Sequence, residues 1–130
     1  MATTMQVEVV SIEAPVWSGA ATALYGRTTD GELGILPGHT PLLGALAPGH
    51  PVRIEREEGD DLDIAVHGGF LFVHQDHHVS VLAEEAELAE NIDPAAAREA
   101  LSTAEREDGP DAENVRDRAL AQLRAVGETI

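Results

Sequence analysis

The sequence predicts an all-β sandwich of about ten short antiparallel strands over residues 1–88, followed by an α-helical hairpin over residues 89–130. Two observations carry this reading. Apolar residues recur with a period of two in short runs up to about Leu88, with dense turn punctuation between the runs. After Asn91 the spacing changes to three and four. The charge changes with it. Residues 1–93 hold 16 acids and 3 Arg, a net of −13, whereas residues 94–130 hold 8 acids and 5 Arg, a net of −3.

The strand half reads in order. Met5, Val7 and Val9 alternate with Gln6, Glu8 and Val10. Val52 and Ile54 alternate with Arg53 and Glu55, and Leu62, Ile64 and Val66 with Asp63 and Ala65. Phe70 and Phe72, or else Leu71 and Val73, then Val79, Val81 and Leu82, complete the series. Asp30-Gly31, Pro37-Gly38, Pro48-Gly49, Glu58-Gly59-Asp60-Asp61 and Gln75-Asp76-His77 are the turns. A six-residue strand spans about 20 Å, and eight to ten such strands fit this half.

The helical half begins at Asp93-Pro94. An Asp accepts the free N–H groups of a first turn, and Pro sits where no N–H is needed. Ala97, Ala100, Leu101 and Ala104 form one stripe, and the run stops at Asp108-Gly109-Pro110. Asp111 is the expected cap of a second helix, with Ala112, Val115, Ala119, Leu123 and Val126 as its stripe. Both stripes are narrow and Ala-rich, so they are expected to bury against each other and little else. At about 25 cal/mol per Å2 of apolar surface, such a hairpin is marginal alone.

Composition narrows the function. The chain has 130 residues, 24 acids and 8 basic residues, all Arg, for a net charge of −16. That balance excludes unaided binding to nucleic acid or insertion into anionic lipid, which need clustered cations. Without cysteine there is no disulfide, thiolate nucleophile or zinc–thiolate site. No secretory leader and no membrane-spanning run is visible, so a bacterial cytoplasmic location is expected.

Chemistry is sparse. His74, Asp76 and His78 share one face of an ideal strand, a spacing open to a metal. Gln75-Asp76-His77 reads more simply as a solvated turn. Ser11, Ser18, Ser80 and Ser102 stand alone, and no phosphate-cradling loop occurs. Glu57-Glu58 and Asp60-Asp61 read as a hairpin tip. No catalytic residue, metal site or cofactor is expected. The segment that stands out is Gly31-Glu32-Leu33-Gly34-Ile35-Leu36-Pro37-Gly38-His39-Thr40-Pro41-Leu42-Leu43. Its mixture of Gly, Pro and Leu reads either as two strands about a tight turn or as an apolar surface that docks a partner.

That segment, with Val9-Val10-Ser11, Trp17-Ser18-Gly19, Gly68-Gly69-Phe70, Val79-Ser80-Val81-Leu82-Ala83 and Ile92-Asp93 in the same order, resembles the epsilon subunits of F-type ATP synthases over nearly the whole chain. The resemblance implies a flattened sandwich and a helix–turn–helix that folds against it or extends. It implies a non-catalytic subunit of the rotating central stalk, at the cytoplasmic face of the cell membrane. That subunit couples rotation to ATP synthesis and restrains ATP hydrolysis. The implied partners are the gamma subunit, the c-ring and, transiently, the alpha/beta catalytic head. By position, Gly31, Glu32 and Leu33 match the c-ring contact, and His39, Pro41 and Leu42 the gamma contact.

Two departures temper the hairpin's part. ATP-binding relatives open the first helix with Ile/Leu-Asp-x-x-Arg-Ala. Here Asp93 is in place but Ala96 stands where the Arg belongs, and Arg98 lies about 200° further round the helix. The inhibitory cations implied on the second helix are Arg116, Arg118 and Arg124. Glu113, Asp117 and Glu128 share that segment and offset them, so weak-to-moderate inhibition is expected. A stand-alone β-sandwich binding module with a helical dimerisation hairpin is the alternative reading.

Overall fold

The computed structural model describes residues 3–128; the ends of the two expected units at residues 1–2 and 129–130 lie outside the described residues. Seven strands precede two helices among those residues: β1 (Met5–Ser11), β2 (Pro15–Thr28), β3 (Gly31–Ile35), β4 (Leu42–Ala45), β5 (Pro51–Arg56), β6 (Leu62–His74) and β7 (His78–Leu88). A single 3-10 turn, Ala89–Asn91, leads to α1 (Pro94–Glu105) and α2 (Pro110–Ala125). The strand count is thus seven rather than about ten, and the reason is physical. Three strands are long, with 14, 13 and 11 residues in β2, β6 and β7. β2 and β6 each serve both layers, and β6 runs on through Gly68-Gly69, where the sequence read a break.

Pairing shows the two layers. The first half of β6 pairs β5, and its second half pairs β4. Likewise β2 pairs β1 through its first half, then β5 and β3 through its second. The order β1-β7-β6-β5-β2-β3, with β1 also paired to β2, closes a flattened ring. Closure needs one parallel pair, β1 with β7, where only antiparallel pairs were expected. Closure also removes most of the open sheet edge.

The bend of β6 falls at Gly68-Gly69, both at positive φ. A Cβ on Gly69 would lie 2.1 Å from the Leu82 carbonyl oxygen and 2.8 Å from the Ala83 Cα. Only glycine lets the two strands cross so closely.

Val7, Val9, Leu24, Ile35, Ile54, Ile64, Leu71 and Val81 fill the space between the layers. The open choice in β6 resolves in favour of Leu71 and Val73 inside, leaving Phe70 52% exposed. The expected alternation fails at Ala65, which is buried along with Ile64 and Val66. Its outer face is covered by the hairpin.

The hairpin itself differs from expectation twice. Asp93 caps α1 as read, accepting from the Ala95 and Ala96 N–H groups at 3.0 and 3.3 Å. At α2, however, Gly109 occupies the cap position and Asp111 sits in the first turn. There its carboxylate meets the positive end of the helix dipole. Second, α2 has two apolar faces. Ala112 and Ala119 are buried as expected, but so are Ala121 and Ala125, which pack with Ala65 and Ile92 in a small second core. The helices therefore do not bury only against each other. Small side chains on both sides let α2 lie close to the sheet.

Candidate functional site

The outer face of the layer formed by β4, β6, β7 and β1 carries two rows of side chains, set by register. One row runs Ala45, Phe70, Leu82, Val10 and the next Leu43, Phe72, Ser80, Glu8. Leu43, Phe70 and Leu82 are 61%, 52% and 47% exposed. The nearby Ile12 is exposed as well. A shallow cleft of about 340 Å3 opens beside this face, between Val10, Ile12, Phe70 and Leu82. The chain has only four aromatic residues, Trp17, Tyr25, Phe70 and Phe72. Placing both Phe on the outside of a sheet is costly in water and marks a surface built for contact.

A polar strip borders it. Ser80, almost fully buried, donates to Glu8 Oε1 at 2.8 Å, and His74 Nε2 lies 3.0 Å from Ser80 Oγ. His74 stacks on His78 with centroids 4.8 Å apart and packs against Phe72 at 4.1 Å. Gln75, Asp76 and His77 form the connecting turn, with Asp76 and His77 at φ 62° and 57°. The spacing that admitted a metal therefore breaks at Asp76, which leaves the strand face. Among the described residues no cluster of three His, Asp or Glu is arranged to hold a metal ion.

The singled-out segment is divided by the fold. Gly31, Glu32 and Leu33 open β3, after a two-residue turn in which Thr28 Oγ1 donates to the Gly31 carbonyl at 3.1 Å. Glu32 is exposed and paired to Arg27 at 3.0 Å, whereas Leu33 packs on the core. His39 follows the Pro37-Gly38 turn, its Nδ1 2.6 Å from the Thr40 carbonyl. Pro41 is exposed. Leu42 turns inward against the core, and it is Leu43 that faces out.

Two of the hairpin cations are engaged with the sandwich. Arg118 donates to both carboxylate oxygens of Glu85, at 2.5 and 3.2 Å. Gln122 donates to Glu87 at 2.8 Å, and Arg124 to the Gly49 carbonyl. Arg116 is half-buried on α2. Arg98 points away from the Asp93 end and pairs with Glu128. Gly49 is the seat of α2: it has φ +80°, and a Cβ there would stand 3.3 Å from Arg124 and 3.6 Å from Leu120. The neighbouring His50 is held below the ordinary imidazole value, first by burial, then by Arg124 and Arg27, with Glu32 acting in the opposite sense. Sequence reasoning missed both the outer face and this seat, because each joins residues from distant strands. The alternation of Phe70 and Phe72 was the available signal for the first.

A closed flattened β-ring with a docked helical hairpin and an exposed apolar face defines a class of assembly subunit. The family described as ATP synthase, Delta/Epsilon chain, beta-sandwich domain matches residues 4–89. The ATP synthase epsilon chain of Mycobacterium avium (strain 104) is 50% identical over 123 residues, covering 95% of each chain. That of Streptomyces avermitilis is 46% identical over 126 residues, covering 97% of this chain and 98% of that one. Among solved structures, a chain in the Euglena gracilis mitochondrial ATP synthase OSCP/F1/c-ring structure superposes with a TM-score of 0.72 at 26% identity. It covers 95% of this chain and 77% of that one. A chain in the Tetrahymena thermophila mitochondrial ATP synthase central stalk/c-ring structure shares the fold, with a TM-score of 0.62 at 14% identity, over 95% of this chain and 97% of that one.

This chain belongs to the delta/epsilon family of the ATP synthase. It is a non-catalytic subunit of that complex. No described helix is long and apolar enough to cross a membrane.

Proposed function

We propose that the chain caps the foot of the central stalk on the cytoplasmic face of the membrane, and that its outer apolar face grips the gamma subunit. The single observation that carries this is the row Ala45, Phe70, Leu82, Val10, in which Phe70 and Leu82 are exposed, flanked by the exposed Leu43. A rotating joint must transmit torque without slipping. A flat apolar patch on a closed sheet does so, because the ring resists shear through strand pairing that runs all the way round it. His39 and Pro41 lie on the loop that leads into this face; Leu42 contributes from beneath by fixing β4. Glu32, with Gly31 and Leu33, meets the c-ring loops, where an exposed acid suits basic groups.

Residues 1–88 and 89–130 act as two units, the first a fixed coupling and the second a movable hairpin. In the docked arrangement Arg118 and Arg124 are spent on Glu85 and Gly49. Release frees them, with Arg116, to reach acidic surfaces of the catalytic head. The acids beside them keep inhibition of ATP hydrolysis weak to moderate. Asp93 has a sufficient task as the α1 cap, so nucleotide binding there is weak or nil.

The test of the grip is the double variant Phe70→Glu, Leu82→Glu. Both side chains are exposed, so the purified chain stays folded by circular dichroism. Its binding to a gamma–c-ring subcomplex drops at least a hundredfold. Undiminished binding refutes the reading. For the hairpin, deletion of residues 94–130 in the whole synthase raises ATP hydrolysis less than tenfold; a larger rise refutes weak-to-moderate inhibition.

A further inference from the structure

We propose that the polar strip beside the apolar row receives one cationic side chain of the partner, with Glu8 as the receiving carboxylate and Ser80 and His74 as the residues that hold it in place. The inference rests on the reading of this face as the grip and adds what the gripped segment must carry.

Register sets three successive rows across the outer face. Val10, Leu82, Phe70 and Ala45 form the first, Glu8, Ser80, Phe72 and Leu43 the second, and Gln6, His78 and His74 the third. Adjacent rows lie two residues apart along each strand, about 7 Å. The surface therefore grades from apolar through mixed to polar along the strands.

Hydrogen-bond accounting fixes the donors in the polar part. Ser80 has a single hydroxyl proton and donates it to Glu8 Oε1 at 2.8 Å. His74 Nε2, 3.0 Å from Ser80 Oγ, must then be a donor as well. His74 is itself fixed by packing on Phe72 and stacking on His78. Ser80 is 3% exposed, whereas the Glu8 side chain is 41% exposed. A buried hydroxyl is thus spent on holding a surface carboxylate. Oε1 is engaged by Ser80, with His78 Nε2 3.5 Å from the same oxygen, which leaves Oε2 for a partner. Glu32, Asp63 and Glu85 each pair with an Arg of this chain; among the described residues no Arg pairs with Glu8.

A carboxylate fixed in advance loses little side-chain freedom when it meets a cation, and its charge selects for one. The complementary segment therefore carries an apolar side chain over Phe70 and Leu82 and a Lys or Arg about 7 Å further along. That is the i, i+2 spacing of a strand, and close to the i, i+4 spacing of a helix, about 6 Å.

The test is binding of the full chain to the gamma–c-ring subcomplex across a salt series, with the fold of each variant checked by circular dichroism. E8Q is expected to weaken binding about tenfold at low salt and to flatten the salt dependence, because the lost contact is between charges. S80A keeps the charge but loses the hold, so binding falls about threefold with the salt dependence intact. E58Q, on the β5–β6 turn outside these rows, changes neither. Unchanged binding of E8Q, a loss in E8Q that leaves the salt dependence as it was, or an equal effect in E58Q overturns the proposal. Unchanged binding of S80A overturns the part given to Ser80 and His74. If the Phe70→Glu, Leu82→Glu variant loses binding while E8Q keeps it, only this proposal fails. If that double variant binds undiminished, the grip reading fails, and the proposal with it.

Discussion

Ala121→Asp is the sharpest probe of how the two units are joined. Ala121 is 1% exposed at the centre of the seam with Ala65, Ile92 and Ala125. Three methyl groups at about 0.8 kcal/mol each and one Ile side chain at about 2 kcal/mol give the seam roughly 4 kcal/mol of burial free energy. Arg118–Glu85, half exposed to solvent, adds about 0.2–1 kcal/mol. A buried carboxylate without a partner costs more than the seam supplies, so the variant avoids the cost by undocking. The loss is then capped near 4 kcal/mol, about a thousandfold in the docking equilibrium. Hydrogen exchange reads it directly. Protection of α2 falls by two to three orders of magnitude, while Leu71, Val79 and Val81 in the sandwich keep theirs. If the sandwich amides lose protection in parallel, hairpin and sandwich are one cooperative body, and the two-unit reasoning is refuted.

Three further outcomes follow from the same geometry. Gly69→Ala forces a Cβ onto the Leu82 carbonyl and is expected to cost at least about 3 kcal/mol of sandwich stability, read by urea denaturation. Asp93→Ala leaves two N–H groups of α1 without their acceptor; hairpin stability drops by about 1 kcal/mol with the sandwich unaffected, seen as lower α1 protection. Glu85→Gln retains shape but removes a charge from an exposed pair, so its effect on docking stays within about 1 kcal/mol and shrinks in high salt. A larger, salt-insensitive effect in that last variant means the ion pair is a principal fastener rather than a guide.

The parts of the structure legible in the sequence were those governed by local chemistry. Alternation in Met5–Val9 and Val52–Ile54 gave buried faces that the structure retains. Asp93-Pro94 marked a helix start, and it is one. Where the reading failed, a neighbour distant in sequence had changed the rules. Ala65 broke the alternation because α2 covers its outer side. Asp111 lost the cap to Gly109 because the helix begins at Pro110, two residues earlier than expected. Ten expected strands became seven because a strand interrupted by glycine bends across two layers without ending. The apolar face was hinted at by Phe70 and Phe72 but not located, since Leu43, Leu82 and Val10 join it only through register.

From the chain alone came the order of strands before helices, the acidic character, the absence of thiol chemistry and the family resemblance. All of these depend on residue type and short-range spacing, which the sequence displays directly. Only the three-dimensional arrangement decided which side of β6 is wet, that β1 closes the ring on β7, and that Arg118 and Arg124 are engaged where α2 meets the sandwich. Those contacts join residues 33 and 75 positions apart, as in Arg118–Glu85 and Arg124–Gly49. Pairing over such separations depends on the competition of whole surfaces for burial, and no local period records its outcome.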